Sequence, residues 1–216
     1  LDAYYNQCPK LKTLHLGSGI SDYNLDIKNC PSLQVTIDSA NPYMKVIGKD
    51  IYSKDGKTLY DVVNGSRVYR VRKGVKKIAG SGLSHNTSIE KLYLPDSVTD
   101  IRTDTINNLP NLRKIRFGKK MDIFHWGWME GNPKVKTVYV PAQVKEIHYN
   151  YVEKKIKSVK KIYLYSKNLK KGNLKGASKS STIYVRNASV RKQLKKFGFK
   201  GKIVIKKNMK NYNKTF

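Results

Sequence analysis

The stretch that decides the fold is Leu92-Tyr-Leu-Pro-Asp-Ser-Val-Thr-Asp-Ile101, because its apolar positions recur at intervals of 23 residues. The pair Leu92/Leu94 has its counterparts in Tyr69/Val71, Ile115/Phe117 and Val138/Val140. Further apolar positions keep the same interval, and one such series is Leu83, Ile106, Met129 and Val152. A fixed period in the twenties is typical of a solenoid, in which each coil buries an inward stripe against its neighbours.

The apolar-x-apolar pair of each interval predicts one short parallel strand per coil. Alternate residues of a strand face opposite sides, so Leu92 and Leu94 are expected to point inward and Tyr93 outward. Pro95 and Pro141 follow two of these strands and end them, because proline has no N–H to donate. The predicted fold class is therefore a mainly β solenoid with coils of about 23 residues.

The period divides the chain into five parts: N-terminal coils (1–40), an inserted β-hairpin (41–66), regular coils (67–185), a C-terminal cap (186–205) and a flexible tail (206–216). The hairpin is predicted from Asp55-Gly56 between two β-rich runs, since a tight turn needs residues that accept positive φ. In the cap, Ser189 is expected to begin a helix with Val190, Leu194 and Phe197 on one face, followed by a strand at 203–205. The first coil lacks its opening strand and turn, which predicts a segment of a longer or processed protein.

The repeat motifs resemble a known family. Cys30-Pro-Ser-Leu33, the stretch 92–101 and Val138-Tyr-Val-Pro-Ala-Gln-Val-Lys-Glu-Ile147 are similar to the BspA-type leucine-rich repeats of bacterial surface proteins. The resemblance implies an extracellular or cell-surface location and a non-catalytic binding or adhesion role, and it names no ligand. The chain departs from the family pattern at 124–131 and in its basic charge.

The charge is extreme and uneven. The 44 Lys and Arg residues against 15 Asp and Glu residues give a net charge of +29. Residues 101–216 hold 30 basic and 5 acidic residues, net +25, whereas residues 1–100 hold 14 and 10, net +4. Such asymmetry indicates an anionic partner: a glycan, a wall polymer or an acidic protein, with nucleic acid as the second choice. A lysine-rich surface kept for solubility is the alternative. The sequence contains no run of 18 apolar residues, so it predicts no transmembrane segment.

The outward strand positions are the candidate binding face. They place aromatic and guanidinium groups in a ladder: Arg70, Tyr93, Arg116, Tyr139, Tyr163 and Tyr184, edged by Lys91, Lys114 and Lys161. Aromatic faces pack against sugars or bases, and the cations bind anionic groups. A separate basic patch is predicted from Lys160, Arg191, Lys192, Lys195 and Lys196. The competing explanation of the ladder is that tyrosine simply suits exposed strands.

The loop 124–131 holds Trp126 and Trp128, which either form an exposed ligand clamp or pack in the core beneath the loop. The motifs of phosphate-binding loops, zinc proteases and serine hydrolases are absent from the sequence, so no catalytic residues and no cofactor are predicted. His125 and His148 should stack on adjacent coils, but two imidazoles fall short of the three or four ligands of a metal site. Cys8 and Cys30 occupy the same repeat position, which fits either a disulfide between neighbouring coils or two buried thiols.

Overall fold

The chain is a solenoid of stacked parallel strands in a computed structural model that describes residues 2–21, 24–102, 104–149, 156–174 and 176–216. Val152, predicted to continue the apolar register, lies outside these residues. The first coils supply β1 (Asp2–Asn6), β2 (Thr13–Leu16), β3 (Asn24–Lys28) and β4 (Gln34–Ile37). β1 pairs with β3 and β2 pairs with β4, both in parallel.

The insert forms three strands: β5 (Met44–Ile47), β6 (Asp50–Ser53) and β7 (Thr58–Asp61). The predicted hairpin is β6–β7, and its turn carries Gly56 at a φ of +72°. β5 pairs antiparallel with β6 as a further strand that the sequence did not indicate. β7 then pairs in parallel with the next coil, so the insert is continuous with the solenoid.

The central coils contain β8 (Val68–Arg70), β9 (Lys77–Ile78), β10 (Lys91–Tyr93), β11 (Asp100–Ile101), β12 (Lys114–Arg116) and β13 (Ile123–His125). A 3-10 helix follows at Trp126–Met129. Next come β14 (Thr137–Val140), β15 (Glu146–His148), β16 (Lys161–Leu164), β17 (Lys171–Gly172) and β18 (Thr182–Val185). The helix α1 (Ala188–Lys196), the strand β19 (Lys202–Ile205) and a 3-10 helix (Tyr212–Thr215) complete the chain.

Each regular coil has two short strands rather than the single strand expected. One lies at the apolar-x-apolar pair, as in β10, and the second lies seven to nine residues later, as in β11. β10 joins β8 and β12 in one sheet, whereas β11 joins β9 and the insert in another. A constant period places every segment beside its equivalent in the next coil, so the segment around Ile101 also gains a parallel partner.

The repeated apolar positions form the core. Leu92, Leu94, Val98 and Ile106 are all 0% exposed and Ile101 is 7% exposed. This cluster extends from the insert to α1, while a separate cluster around Leu16, Ile27, Cys30 and Leu33 fills the N-terminal coils. The inward direction of these side chains confirms the register read from the sequence.

The C-terminal cap contains the predicted helix and strand, although the helix begins earlier than expected. The side chain of Asn187, not that of Ser189, accepts a hydrogen bond from Val190 N at 2.8 Å. Val190 and Leu194 are buried, and Phe197 lies against the solenoid. Asn187 precedes the first helical residue and can accept this bond in extended backbone, which is the geometry of an N-cap.

The tail at 206–216, predicted to be flexible, packs against the solenoid. Met209 and Tyr212 are each only 7% exposed. Their side chains pack with Tyr165, and Tyr139, Tyr163, Tyr184 and Phe216 adjoin the same cluster. The tail therefore runs back over the outer face of the strands, because its three spaced apolar side chains find an aromatic surface to bury.

Candidate binding face

The outward ladder begins with a cation and an aromatic ring in contact. The guanidinium carbon of Arg70 lies 4.0 Å from the centre of the Tyr93 ring, a cation–π geometry. Tyr93 is in register with Arg70 on one side and Arg116 on the other. Arg70 is exposed and Tyr93 is half-buried, so this end of the ladder is open to solvent.

Arg116 is aligned as predicted but is already neutralised. Its Nη2 donates to Asp96 Oδ1 at 2.7 Å and its Nη1 donates to Leu94 O at 2.6 Å. Burial acts to raise the pKa of Asp96, but hydrogen bonds from Arg116 and Lys119 lower it below its usual value. The guanidinium of Arg116 therefore serves the coil itself, and less of its charge is left for a ligand.

The three later tyrosines form a stack. The ring centres of Tyr139 and Tyr163 are 5.1 Å apart with the planes at 14°, and those of Tyr163 and Tyr184 are 4.7 Å apart at 12°. The register of β14, β16 and β18 fixes this order, because the three residues are direct strand partners. The ladder thus exists as a structure, with an arginine–tyrosine half and a tyrosine half.

The tail covers part of the tyrosine half. The Phe216 ring meets Tyr139 edge-on at 5.2 Å, and Tyr212 meets Tyr165 edge-on at 5.4 Å. Lys206 Nζ lies 6.0 Å from the centre of the Tyr163 ring and 5.9 Å from that of Tyr184. Tyr139, Tyr163 and Tyr184 are only half-buried, so each keeps an accessible portion beside the tail.

The lysines at the edge do not form one row. Lys91 and Lys114 are register partners, but Lys161 belongs to another sheet, where it pairs with Thr137 and Thr182. Lys114 Nζ lies 5.0 Å from the centre of the Phe216 ring. The predicted lysine edge is therefore interrupted between β12 and β14, where the two outer sheets separate.

The basic patch has two parts. The exposed side chains Arg191, Lys192, Lys195 and Lys196 all lie on α1, whereas exposed Lys160 directly precedes β16. Among the residues that the structure describes, no carboxylate lies within 4.0 Å of the four cations of α1. This helix surface therefore presents positive charge that none of the described carboxylates neutralises.

A cleft that the sequence did not reveal lies beside the end of α1. Its volume is about 410 Å³, and its lining includes Tyr149, Leu174, Phe199, Lys179 and Lys200. Aromatic walls with a lysine at two points suit a ring that carries an anionic group. Lys179, Phe199 and Lys200 have no place in the 23-residue pattern, so periodicity could not have brought them together.

The two tryptophans do not form a ligand clamp. Trp126 and Trp128 are each 1% exposed, and the Trp128 ring stacks on Phe117 at 5.5 Å. Trp128 Nε1 donates to Arg102 O at 3.0 Å. The loop 124–131 therefore packs its large rings in the core, as the second alternative predicted. Neither tryptophan is a binding candidate any longer.

His125 and His148 are neighbours on adjacent coils as expected, with ring centres 5.0 Å apart and the rings edge-on at 79°. Burial and the neighbouring His148 lower the pKa of His125, while His148 Nε2 lies 2.8 Å from Glu146 Oε2. Within the described part of the chain, no three His, Cys, Asp or Glu side chains converge as metal ligands.

No disulfide joins Cys8 and Cys30. Cys30 is buried and its Sγ lies 3.2 Å from Lys28 O, and burial raises the pKa of its thiol. Both cysteines therefore remain thiols, of which Cys30 is buried and Cys8 is half-buried. Across the described ranges, no helix is both long and apolar enough to cross a membrane.

Stacked coils with parallel strands and an inward apolar stripe define a leucine-rich-repeat solenoid. A family model described as the BspA type leucine rich repeat region matches residues 69–198 in six copies. The chain belongs to this BspA-type family. Comparison with curated proteins gives no match.

Solved structures show the same fold at low sequence identity. The chain is similar to the pneumococcal vaccine antigen PcpA, with a TM-score of 0.63 and 15% identity over 95% of this chain and 60% of that one. It is also similar to a leucine-rich cell surface protein of Faecalibacterium prausnitzii, with a TM-score of 0.57 and 14% identity over 94% of this chain and 50% of that one. A leucine-rich repeat protein of Eubacterium ventriosum is similar as well, with a TM-score of 0.58 and 13% identity over 90% of this chain and 48% of that one. The chain thus spans between about half and 60% of the length of these proteins.

Proposed function

We propose that this chain is a non-catalytic binding module of a bacterial cell-surface protein and that it recognises a polyanion, namely an acidic glycan, a wall polymer or an acidic protein. The single observation that carries the proposal is the face of α1, where Arg191, Lys192, Lys195 and Lys196 are exposed and no described carboxylate neutralises them. The sequence from Lys154 to Phe216 contains no acidic residue. A field of one sign attracts an oppositely charged polymer and raises its rate of association.

Two neighbouring features supply recognition beyond charge. The cleft beside α1 combines Tyr149 and Phe199 with Lys179 and Lys200, and the tyrosine stack offers its ring edges on the outer face. Sugar rings pack on the aromatic walls of the cleft, while their carboxylate or sulfate groups bind the lysines. The proposed cell-surface location is supported by the family and by a structural neighbour that is itself described as a cell surface protein.

The experiment is a salt titration of binding to three polyanions: a sulfated glycan, a teichoic-acid-type wall polymer and duplex DNA. Release of counterions makes the logarithm of a charge-driven affinity fall linearly with the logarithm of salt concentration. We expect one of the first two polymers to retain binding at a salt concentration that removes DNA binding. If only DNA stays bound at the higher salt concentration, the result favours the nucleic-acid alternative. No binding to any of the three polymers at low salt would contradict the proposal.

Tyr163→Ala in the same titration separates the contributions of stacking and charge. Loss of the central ring of the stack should weaken the salt-resistant part of glycan binding while the salt slope stays the same. Val68→Ala is a suitable control, since Val68 is 41% exposed on the outer sheet and has no aromatic ring.

A further inference from the structure

A buried lysine and two carboxylates lie together where the N-terminal coils meet the insert. The side chain of Lys28 is 0% exposed, that of Asp61 is 1% exposed and that of Asp26 is 14% exposed. Lys28 Nζ contacts Asp61 Oδ1 directly and lies 3.1 Å from Asp26 Oδ1. No repeat position predicts this cluster, because Asp61 lies in the insert, outside the 23-residue pattern.

Apolar side chains adjoin the cluster, and two further titratable groups lie near it: His85 Nδ1 is 3.9 Å from Asp26 Oδ2, and the Asp50 carboxyl group acts on the charge of Lys28. Ile27 and Cys30 flank Lys28 in a hydrophobic cluster with Val63, and Val62 follows Asp61 in the main core. Burial lowers the pKa of Lys28 to about 8, against the opposing effect of the nearby carboxylates. A desolvated lysine with a lowered pKa supplies the neutral amine that acts as a nucleophile.

The Asp61 carboxyl group is held in a defined orientation. Its Oδ2 accepts a hydrogen bond from Ile27 N at 2.9 Å, while its Oδ1 faces Lys28 Nζ. A backbone N–H in this place would stabilise negative charge that develops on Oδ2 if a nucleophile attacked the Asp61 carbon Cγ. Asp26 Oδ1, 3.1 Å from Nζ, is the second carboxylate within reach of the Lys28 ammonium and can accept a proton from it.

We propose that Lys28 and Asp61 join in an intramolecular isopeptide bond, with Asp26 as the proton carrier. Asp26 accepts one proton from the Lys28 ammonium, and the amine nitrogen attacks Cγ of Asp61, so that a bond forms between Nζ and Cγ. The bond from Cγ to Oδ1 then breaks. Two of the three ammonium protons end on Oδ1, which leaves as water, and the third stays on the amide nitrogen. Asp26 begins and ends as a carboxylate, and no oxidant or other reactant is consumed.

The bond would connect two structural units. Lys28 ends β3, and Asp61 ends β7, the last strand of the insert. The hydrophobic cluster of the N-terminal coils includes Met44, Ile51 and Val63 of the insert and is separate from the main cluster, so a covalent link here reinforces the contact between the first coils and the insert. Exclusion of water from the cluster also protects the amide from hydrolysis.

Intact mass of the purified full chain tests the proposal. The wild-type mass should be lower than the sequence mass by one water molecule, and a protease digest should give a branched peptide that contains both Lys28 and Asp61. Lys28→Arg and Asp61→Ala should each restore the full sequence mass, and Asp26→Ala should leave most molecules unlinked. Lys49→Arg, an exposed lysine of the same insert, should remain linked.

Three results would overturn the proposal: a folded wild type at full sequence mass, a branch that joins Lys28 to Asp26, or a water loss that maps to Asp55. The last would be a succinimide at Asp55-Gly56, which also lacks one water molecule, so the position of the loss must be determined. Because the wild-type mass and digest decide the outcome, a variant that fails to fold does not leave the proposal untested.

Discussion

The hydroxyl group of Tyr212 accepts a hydrogen bond from Phe117 N at 3.1 Å and donates one to Phe117 O at 2.9 Å, although the two residues are 95 positions apart. In the preceding coils, the equivalent backbone N–H groups, those of Val71 and Leu94, donate to Tyr93 O and Arg116 O of the next coil. The outer sheets separate after β12, and one phenol of the tail satisfies the backbone groups left there. The tail is thus part of the solenoid and not an appendage.

Tyr212→Phe should destabilise the protein by about 1–3 kcal/mol, because it removes both partners of a buried backbone N–H and C=O. Urea unfolding of the variant and wild type measures the difference. Tyr43→Phe is the matched control, since Tyr43 is 50% exposed. Equal losses for the two variants would show that the Tyr212 hydroxyl has no special structural role.

Removal of residues 209–216 should expose the tyrosine stack. The deletion takes away Met209, Tyr212 and Phe216, which pack on this surface. We expect stronger quenching of tyrosine fluorescence by iodide and a larger salt-resistant part of glycan binding, along with a lower melting temperature. Unchanged quenching would mean that the tail does not cover these rings in solution.

Leu94→Ala should cost roughly 2–5 kcal/mol, since Leu94 is 0% exposed and its truncation leaves a cavity between coils. Thermal unfolding of this variant beside Val68→Ala, at an exposed site of the same sheet, measures the effect. A melting temperature equal to that of wild type would contradict the inward direction of Leu94.

Asp50 makes stability depend on pH. Tyr69 donates a hydrogen bond to Asp50 Oδ2 at 2.5 Å, but burial dominates and raises the pKa of Asp50 from 3.8 to about 6. Between about pH 4 and 6 the native state holds a proton on Asp50 that the unfolded state has released. The contribution of Asp50 to the free energy of unfolding therefore falls as pH rises. The total change in the free energy of unfolding from this group is at most about 3 kcal/mol.

Asp50→Asn tests this dependence, because the amide resembles the protonated acid and does not titrate. Urea unfolding at several pH values should show a smaller decline between about pH 4 and 6 in the variant than in wild type. Asp104→Asn, at an exposed carboxylate, should leave the decline unchanged. Identical pH profiles for wild type and Asp50→Asn would contradict the raised pKa.

Much of the fold was predictable because the period constrains the backbone and the core together. The inward direction of Leu92 and the outward direction of Tyr93 follow from alternation in a strand, and the ladder order follows from stacking. The second strand at Ile101 was missed because two residues of backbone pairing leave no alternation to detect. The extra strand β5 lies outside the repeat, so no equivalent segment signalled it.

The parts of the site that sequence could not predict depend on contacts without a period. Met209, Tyr212 and Phe216 lie in a lysine-rich stretch that resembles a solvated tail, and their burial depends on a surface made by distant coils. Burial of Lys28 could not be foreseen for a similar reason, since its partner Asp61 belongs to the inserted strand β7. The large rings of Trp126 and Trp128 fitted either an exposed or a buried position until the loop geometry was known.

The most direct test of the proposed function compares two charge reversals in binding to the acidic polymer that the wild-type chain retains best. Lys195→Glu/Lys196→Glu changes the exposed face of α1, and Lys73→Glu/Lys76→Glu makes the same change of charge in the less basic half, at residues that are also exposed. We expect the first pair of substitutions to weaken binding at least about tenfold and to reduce the salt slope, because contacts between the lysines and anionic groups of the polymer are lost. The second pair should change the affinity far less. Equal weakening by both pairs would contradict a binding face at α1 and leave only the overall charge of the chain.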